Sequence, residues 1–421
     1  MNSRFVSMAI VALLLVSIQF AQGQTNYVVT TFGTLGGSAS SAISITNNGL
    51  ISGFSFLPGD QTMVATVFQN GKPVPLGTLG GPNSGVEWPN HNARAVVGIA
   101  ETADLDPLNE DWSCAHNAAF FPTVTHHICL GFVWQNGGMS PLPTLGGING
   151  YAVGANDVGQ VVGWAETPVH DTSCVFPQVL QFQAVLWGPK LGQVAALLPL
   201  AGDPDSAATA INNKGQVVGI SGICENAVGD LSAMHAVLWE NGTVRYLGNL
   251  GVDDWDTPTA INNHGQVVGF TETTDGTFHG FYWSKFSGGM QDLKPLPGDS
   301  FSFAYAINDL GMVVGQSIGP NGSSAVMWKD RVAVDLNCLT VSGSPHLIYA
   351  NDINNSGRIT GQARDSEHAQ APGFLAVPVV GVDHCTAGSV AARSNAGIAM
   401  PRHVATMLQR SGAWARVVGT R

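Results

Sequence analysis

Charge is scarce in this chain. Asp, Glu, Lys and Arg make up 11% of its 421 residues, with only 17 basic side chains against 29 acidic ones. No segment before residue 386 sustains helical periodicity, so long solvent-facing helices are not expected. None of the six cysteines stands in a Cys-x-x-Cys spacing, which argues against zinc and dithiol redox chemistry. A His-Glu-x-x-His helix and a phosphate-cradling glycine loop are also missing. The basic residues are few and also displaced. Residues 386–421 hold Arg393, Arg402, Arg410, Arg416 and Arg421 and no acid. Without those five and Arg4, 11 basic residues face 29 acidic ones, a net charge of −18 for the body. Nucleic acid is therefore not an expected partner, whereas cations and basic or neutral ligands such as glycans fit.

Long apolar runs are limited to one. Val6 to Ile18 follows the positive Arg4, and Ala21 and Gly23 are placed for cleavage before Gln24. This reads as a secretory signal over residues 1–23, and it predicts a secreted, extracellular or periplasmic protein with no membrane span in the mature chain. The even cysteine number fits disulfides in that compartment.

Glycine is plentiful, with 52 residues, and much of it is periodic. The phrase Ala-Ile-Asn-Asn-x-Gly-Gln-Val-Val-Gly occurs as Ala210–Gly219 and Ala260–Gly269, with looser copies ending at Gly53, Gly98, Gly163, Gly315 and Gly361. The gaps between those glycines are 45, 65, 56, 50, 46 and 46 residues, a spacing that marks an array of supersecondary units. Within one unit, Ala207–Ile211, Gln216–Ser221, His235–Trp239 and Thr243–Leu247 read as four short strands joined by Asn/Gly turns. The third strand carries one aromatic per unit: Phe68, Trp134, Trp187, Trp239, Trp283, Trp328 and Phe374. Packing between sheets is the simpler reading of these, and a ring of ligand-stacking aromatics the sharper one. His235 and His279 read as structural histidines.

Seven four-stranded units predict an all-β, seven-bladed β-propeller, with an open β-solenoid or a different blade count as the alternative. The propeller is expected over 24–385, with units at about 33–75, 76–141, 142–198, 199–246, 247–293, 294–337 and 338–377, followed by the basic tail 386–421. The last unit shows only three strands. Residues 27–32 precede the first unit and would complete it, with Val379–Val382 as the competing choice. The Asn-x-x-Gly turns should then lie on one face, as scaffold, and the long insertions on the other.

The succession of Thr34-Leu35-Gly36-Gly37, Thr78-Leu79-Gly80-Gly81 and Thr144-Leu145-Gly146-Gly147 with Ile-Asn-x-x-Gly-Gln-Val-Val-Gly and His-Ala-x-Leu-Trp elements resembles the HAF repeat of probable extracellular bacterial proteins. The resemblance covers about residues 33–377, most closely in units three to six. It implies an exported repeat protein.

Function should sit where the units depart from their pattern. Unit two has His91 and Arg94 in its turn and inserts most, bringing Glu101, Trp112, Cys114, His116 and Cys129. Unit three inserts Glu166 and Cys174, unit four Cys224, and unit five Asp253, Asp254, Trp255 and Asp256. A binding scaffold for a glycan or a surface protein would use Trp112, His116, Asp254, Trp255 and Asp256 on the loop face of units two to five. No cofactor is expected, although Asp253, Asp254 and Asp256 could supply oxygen ligands to calcium. A carbohydrate-active hydrolase or lyase would instead use Glu101 and Glu166 as paired carboxylates. A structural extracellular protein without a discrete ligand is the third reading. The expected disulfides are Cys114–Cys129, Cys174–Cys224 and Cys338–Cys385, with Cys114–Cys174 as an alternative.

Overall fold

The computed structural model describes residues 25–380, apart from 90, 111–120, 175, 191, 225–234, 253–254 and 366. Residues 1–23, where a secretory signal is expected, the basic tail, Trp112, Cys114, His116, Asp253, Asp254 and Cys385 lie outside the described residues.

Each repeat folds into a four-stranded antiparallel sheet, and seven such sheets form a ring. The molecule is a seven-bladed β-propeller. Among the described residues the only helix is a 3-10 turn, Leu336–Leu339. The first strand of each blade is the innermost. In blades 1, 3, 5 and 6 (Ser40–Ile45, Gly150–Ala155, Thr257–Ile261 and Phe301–Ile307) it is buried along its whole length. The fourth strands, such as Lys72–Pro75 and Gly138–Pro141, are short and largely exposed.

The N-terminal strand Thr25–Thr31 pairs antiparallel with Gly373–Val380 of blade 7, placing Val28 opposite Val377. Val379 and Val380 thus belong to the third strand of that blade, and the chain's first strand is its fourth. This pairing fastens the two ends of the ring and removes the sheet edge that a linear array would leave.

Two residues of the repeated phrase explain its persistence. The first is its final glycine. In all seven blades it faces a carbonyl of the innermost strand so closely that a Cβ would overlap it: Ser41, Gly85, Tyr151, Ala207, Thr257, Phe303 and Tyr349 supply those oxygens. The inner strand bulges beside this contact, for example between Ala208 and Ala210.

The second is the turn asparagine. Asn262 Oδ1 accepts from the backbone N–H of His264 and Gln266 at 3.0 Å each, closing its own turn. Its Nδ2 donates at 2.9 Å to the carbonyl of Asn308 in the next blade. The same bond runs from Asn92 to Asn156, Asn156 to Asn212, Asn212 to Asn262, Asn308 to Asn354, and Asn354 to Thr46. In blade 1 two side chains share this role. The Thr46 hydroxyl accepts from Leu50 N–H, and Asn48 Nδ2 reaches Ala93 O at 2.9 Å. The circle of inter-blade bonds is complete. In blade 2 the turn asparagine is Asn92 rather than His91 at the corresponding place. Two extra residues between Gly85 and the turn, with one fewer inside the turn, shift it and free His91 from that role.

The third-strand aromatics pack inside the sheets; Trp187, Trp239, Trp283, Trp328, Phe68 and Phe374 are buried. Trp187, Trp239 and Trp328 also donate their indole N–H to Pro143, Leu198 and Lys294 carbonyls, at 2.8, 2.7 and 3.0 Å. Each therefore pins the chain that enters its own blade, a packing role.

Candidate functional site

The residue after each turn asparagine points toward the ring axis. Asn47, Asp157, Asn213, Asn263, Asp309 and Asn355 form a polar rim there, above a floor of Ile211, Ile261, Ile307 and Ile353. Together they line a shallow funnel, open to solvent, at the mouth of the axial channel. The rim side chains are held in place by their neighbours. Each Oδ1 accepts a backbone N–H from the adjoining blade: Asp157 from Ala93 at 3.1 Å, Asn213 from Asp157 at 2.9 Å, Asn263 from Asn213 at 2.9 Å, Asp309 from Asn263 at 2.8 Å, Asn355 from Asp309 at 2.9 Å, and Asn47 from Asn355 at 2.9 Å. Asp309 Oδ2 also takes the side-chain amides of Asn263 and Asn355, at 3.0 and 2.8 Å. Burial alone would raise the Asp309 carboxyl, yet these donors hold it below the usual carboxylate range. The rim is thus preorganised, with asparagine amides set between the Asp157 and Asp309 carboxyl groups.

Blade 2 interrupts the rim, because Ala93 stands there. His91 enters the funnel wall instead and places Nε2 3.7 Å from Asp352 Oδ1 of blade 7. The imidazole side chain is 39% exposed and the carboxyl fully buried. Asp352 replaces the alanine found in Ala210-Ile211-Asn212 and Ala260-Ile261-Asn262, so both members of the pair depart from the repeat. Burial raises the Asp352 carboxyl, opposed by His91 and by the N–H groups of Ile45 and Ile353. Both of those groups donate to it at 2.8 Å.

On the opposite face, the residues expected from sequence are placed differently. Glu101 and Glu166 are fully buried, each under the first strand of its own blade. Glu101 Oε2 accepts from Asn83 N–H at 2.8 Å, and Glu166 Oε2 from Asn149 N–H at 2.7 Å. Asn83 and Asn149 in turn accept Met63 and Cys129 N–H from the preceding blades, at 2.9 and 3.0 Å. The two glutamates occupy equivalent positions in adjacent blades and tie blade to blade. Trp255 and Asp256 are buried rather than presented to solvent. Trp255 packs with Phe270 and Phe278, because the chain turns inward there with a positive φ of 58°. Asp256 receives the Thr271 hydroxyl. Of the calcium candidates only Asp256 is described, and among the described residues no three His, Cys, Asp or Glu side chains converge on a metal position. His235 and His279 are bound by Asp203 and Asp292, at 2.9 and 3.0 Å.

Cys174 and Cys224 form a disulfide linking blades 3 and 4, with Cα atoms 4.6 Å apart. This removes the Cys114–Cys174 alternative. Cys129 and Cys338 are also disulfide-bonded, to partners outside the described residues.

Two features stand outside the sequence expectations. One is the funnel on the turn face, which was expected to be plain scaffold. Its signal was present in His91 and in the aspartate of Asn351-Asp352-Ile353. The other is Gly315-Gln316-Ser317-Ile318-Gly319, which has the spacing of a nucleophile elbow. Ser317 lies within the strand Val313–Gly319, fully buried, donating to Asp299 at 2.5 Å and accepting Leu296 N–H at 3.0 Å. An elbow needs a strand-to-helix turn, so this serine is structural.

No family model and no curated protein matches the chain. Among solved structures it is similar to TolB from Acinetobacter baumannii (12% identity over 68% of this chain and 62% of TolB, TM-score 0.42). It is also similar to a Pyrococcus horikoshii acylaminoacyl peptidase (10% identity, 85% of this chain and 54% of the peptidase, TM-score 0.48). A third is oligogalacturonate lyase from Vibrio parahaemolyticus (10% identity, 85% and 98%, TM-score 0.41). The chain spans less than two thirds of the length of the first two.

Proposed function

We propose that this chain is an exported binding propeller of the HAF-repeat kind, and that its axial funnel takes the end of a polyhydroxylated ligand such as a glycan. The observation that carries the reading is the preorganised rim. Hydroxyl groups both donate and accept, and the rim offers amide N–H groups beside the Asp157 and Asp309 carboxylates around an aliphatic floor. Export is supported by the Cys174–Cys224 disulfide and by the signal-like N-terminus. The funnel is favoured over the insertion-bearing face because Trp255, Asp256, Glu101 and Glu166 are buried there.

A glycan array probed with the exported chain, followed by titration calorimetry, tests this. Asn47→Ala and Asp157→Ala each remove rim hydrogen-bonding groups and should weaken binding by about tenfold, the worth of one good hydrogen bond. Unchanged affinity in both variants would refute the funnel as the binding site.

A hydrolase or lyase acting on the same ligand is the second reading, favoured by His91 beside Asp352 within the funnel. Turnover abolished in His91→Ala while binding persists would establish it; absence of turnover in the wild type would remove it.

A further inference from the structure

The funnel rim carries two acids that its scaffold role does not require. Each rim side chain offers one oxygen to a backbone N–H of the adjoining blade, and Asn47, Asn213, Asn263 and Asn355 do so as asparagine. An amide is therefore enough for that bond. Blades 3 and 6 place Asp157 and Asp309 there instead. The blades follow one another in chain order around the ring. Blades 4 and 5 separate the two acids on one side and blades 7, 1 and 2 on the other, so they face each other across the axis.

At these two places the rim is an acceptor. Asn213 Nδ2 donates to Asp157 Oδ2 at 3.2 Å, and Asn263 and Asn355 Nδ2 donate to Asp309 Oδ2 at 3.0 and 2.8 Å. The remaining lone pairs of both carboxyl groups are open to a donor brought by the ligand. Among the described residues lining the funnel none is Lys or Arg. Arg94 and Lys214 stand on the turns of blades 2 and 4, outside that lining. His91 is the one base in the lining, with the Asp352 carboxyl 3.7 Å away. The rest of the chain has the same sign, with 11 basic against 29 acidic residues outside Arg4 and residues 386–421. A ligand hydroxyl would be served as well by asparagine all round. An ammonium group, with several donors, no acceptor and a positive charge, gains from an acid.

We propose that the funnel selects glycans whose terminal sugar carries a free amino group, recognised by Asp157 and Asp309 on the rim. The inference rests on the funnel as the glycan site and adds the class of sugar. N-acetylation removes the charge and most of the donors of that amine, so it weakens the contact. A uronic acid brings charge of the wrong sign to the same place.

Titration calorimetry of the full chain with a short oligomer of β-linked glucosamine, and with its fully N-acetylated counterpart, tests this. At about pH 6, where the amine is protonated, the amino form should bind at least about fivefold more tightly at low ionic strength. That ratio should shrink as salt is added. Asp157→Asn combined with Asp309→Asn keeps an acceptor for each backbone N–H, as Asn213 and Asn263 show, and should bring the ratio to about one. Equal affinity for the two forms in the wild type would overturn the inference and leave the funnel as a glycan site. Binding of no glycan at all would overturn both. A ratio unchanged in the double variant would also sink the inference, as would tighter binding of a uronic-acid oligomer than of the amino form. A simple polyamine that binds as tightly as the amino sugar would assign the rim to a bare cation and overturn it as well.

Discussion

Asn262 shows how much one side chain carries in this repeat. It closes its own turn through two backbone N–H groups and reaches across to Asn308 in the next blade. Asn262→Ala leaves all three partners unsatisfied in a buried place, so it should cost about 2–4 kcal/mol of stability. Urea unfolding followed by far-ultraviolet circular dichroism measures this, and a loss below about half a kcal/mol would show that water replaces the bonds. The neighbouring Asn263 instead has one polar edge in the funnel, so Asn263→Ala should be milder. The phrase Asn-Asn thus has a scaffold residue followed by a rim residue. The first was legible in the sequence as a turn former, because a turn asparagine obeys local rules. The second was not. A rim exists only when residues some fifty positions apart meet around an axis, and local patterning is blind to that. The same holds for His91 and Asp352, which were visible singly as lapses and meaningless until blades 2 and 7 faced one channel.

At the scale of the blade, strand count and order were readable because glycine and aromatic positions are fixed by backbone geometry. The final glycine of each phrase had to remain where a carbonyl leaves no room for Cβ. Gly219→Ala should therefore be more damaging than Gly242→Ala, where the added carbon meets nothing within 4 Å although φ is positive. Burial of the loop acids was harder to read. Trp255 sits in an acidic stretch, Asp253-Asp254-Trp255-Asp256, and composition alone presents such a stretch to solvent. The aromatic cluster of blades 5 and 6 draws Trp255 inward instead. Between blades 3 and 4 the link is covalent. The Cys174–Cys224 bridge closes a loop of 50 residues, for which chain entropy gives up to ~4 kcal/mol. Replacing both cysteines by alanine should lower the melting temperature while leaving the fold intact by circular dichroism. An unchanged melting temperature would mean that the blade interface alone fixes this pair.

For the whole molecule, the buried acids set the pH dependence of stability. Glu166 and Asp205 are each raised to about 8 by burial, from ordinary values of 4.5 and 3.8. Between those limits the folded chain holds protons that the unfolded chain has released. Stability from these two groups is therefore fully present below about pH 4 and lost progressively as pH rises toward about 8. Melting temperature should fall across that interval, and Asp205→Asn should flatten the fall. A profile that rises from about pH 5 to 8 would contradict the assignment.

The strand Thr25–Thr31 adds a matter of timing. It leaves the ribosome before any blade, yet its partner Gly373–Val380 is the last of the described strands. Until then the growing chain has two unsatisfied edges, and a truncated chain keeps them permanently. Two full-length chains that meet before closure can exchange their ends, the strand Thr25–Thr31 of one completing blade 7 of the other. Full-length chains refolded at high concentration should therefore show a dimer by size-exclusion chromatography that chains lacking residues 25–31 do not form, and the contact that makes the ring single also makes it the place where assembly goes astray.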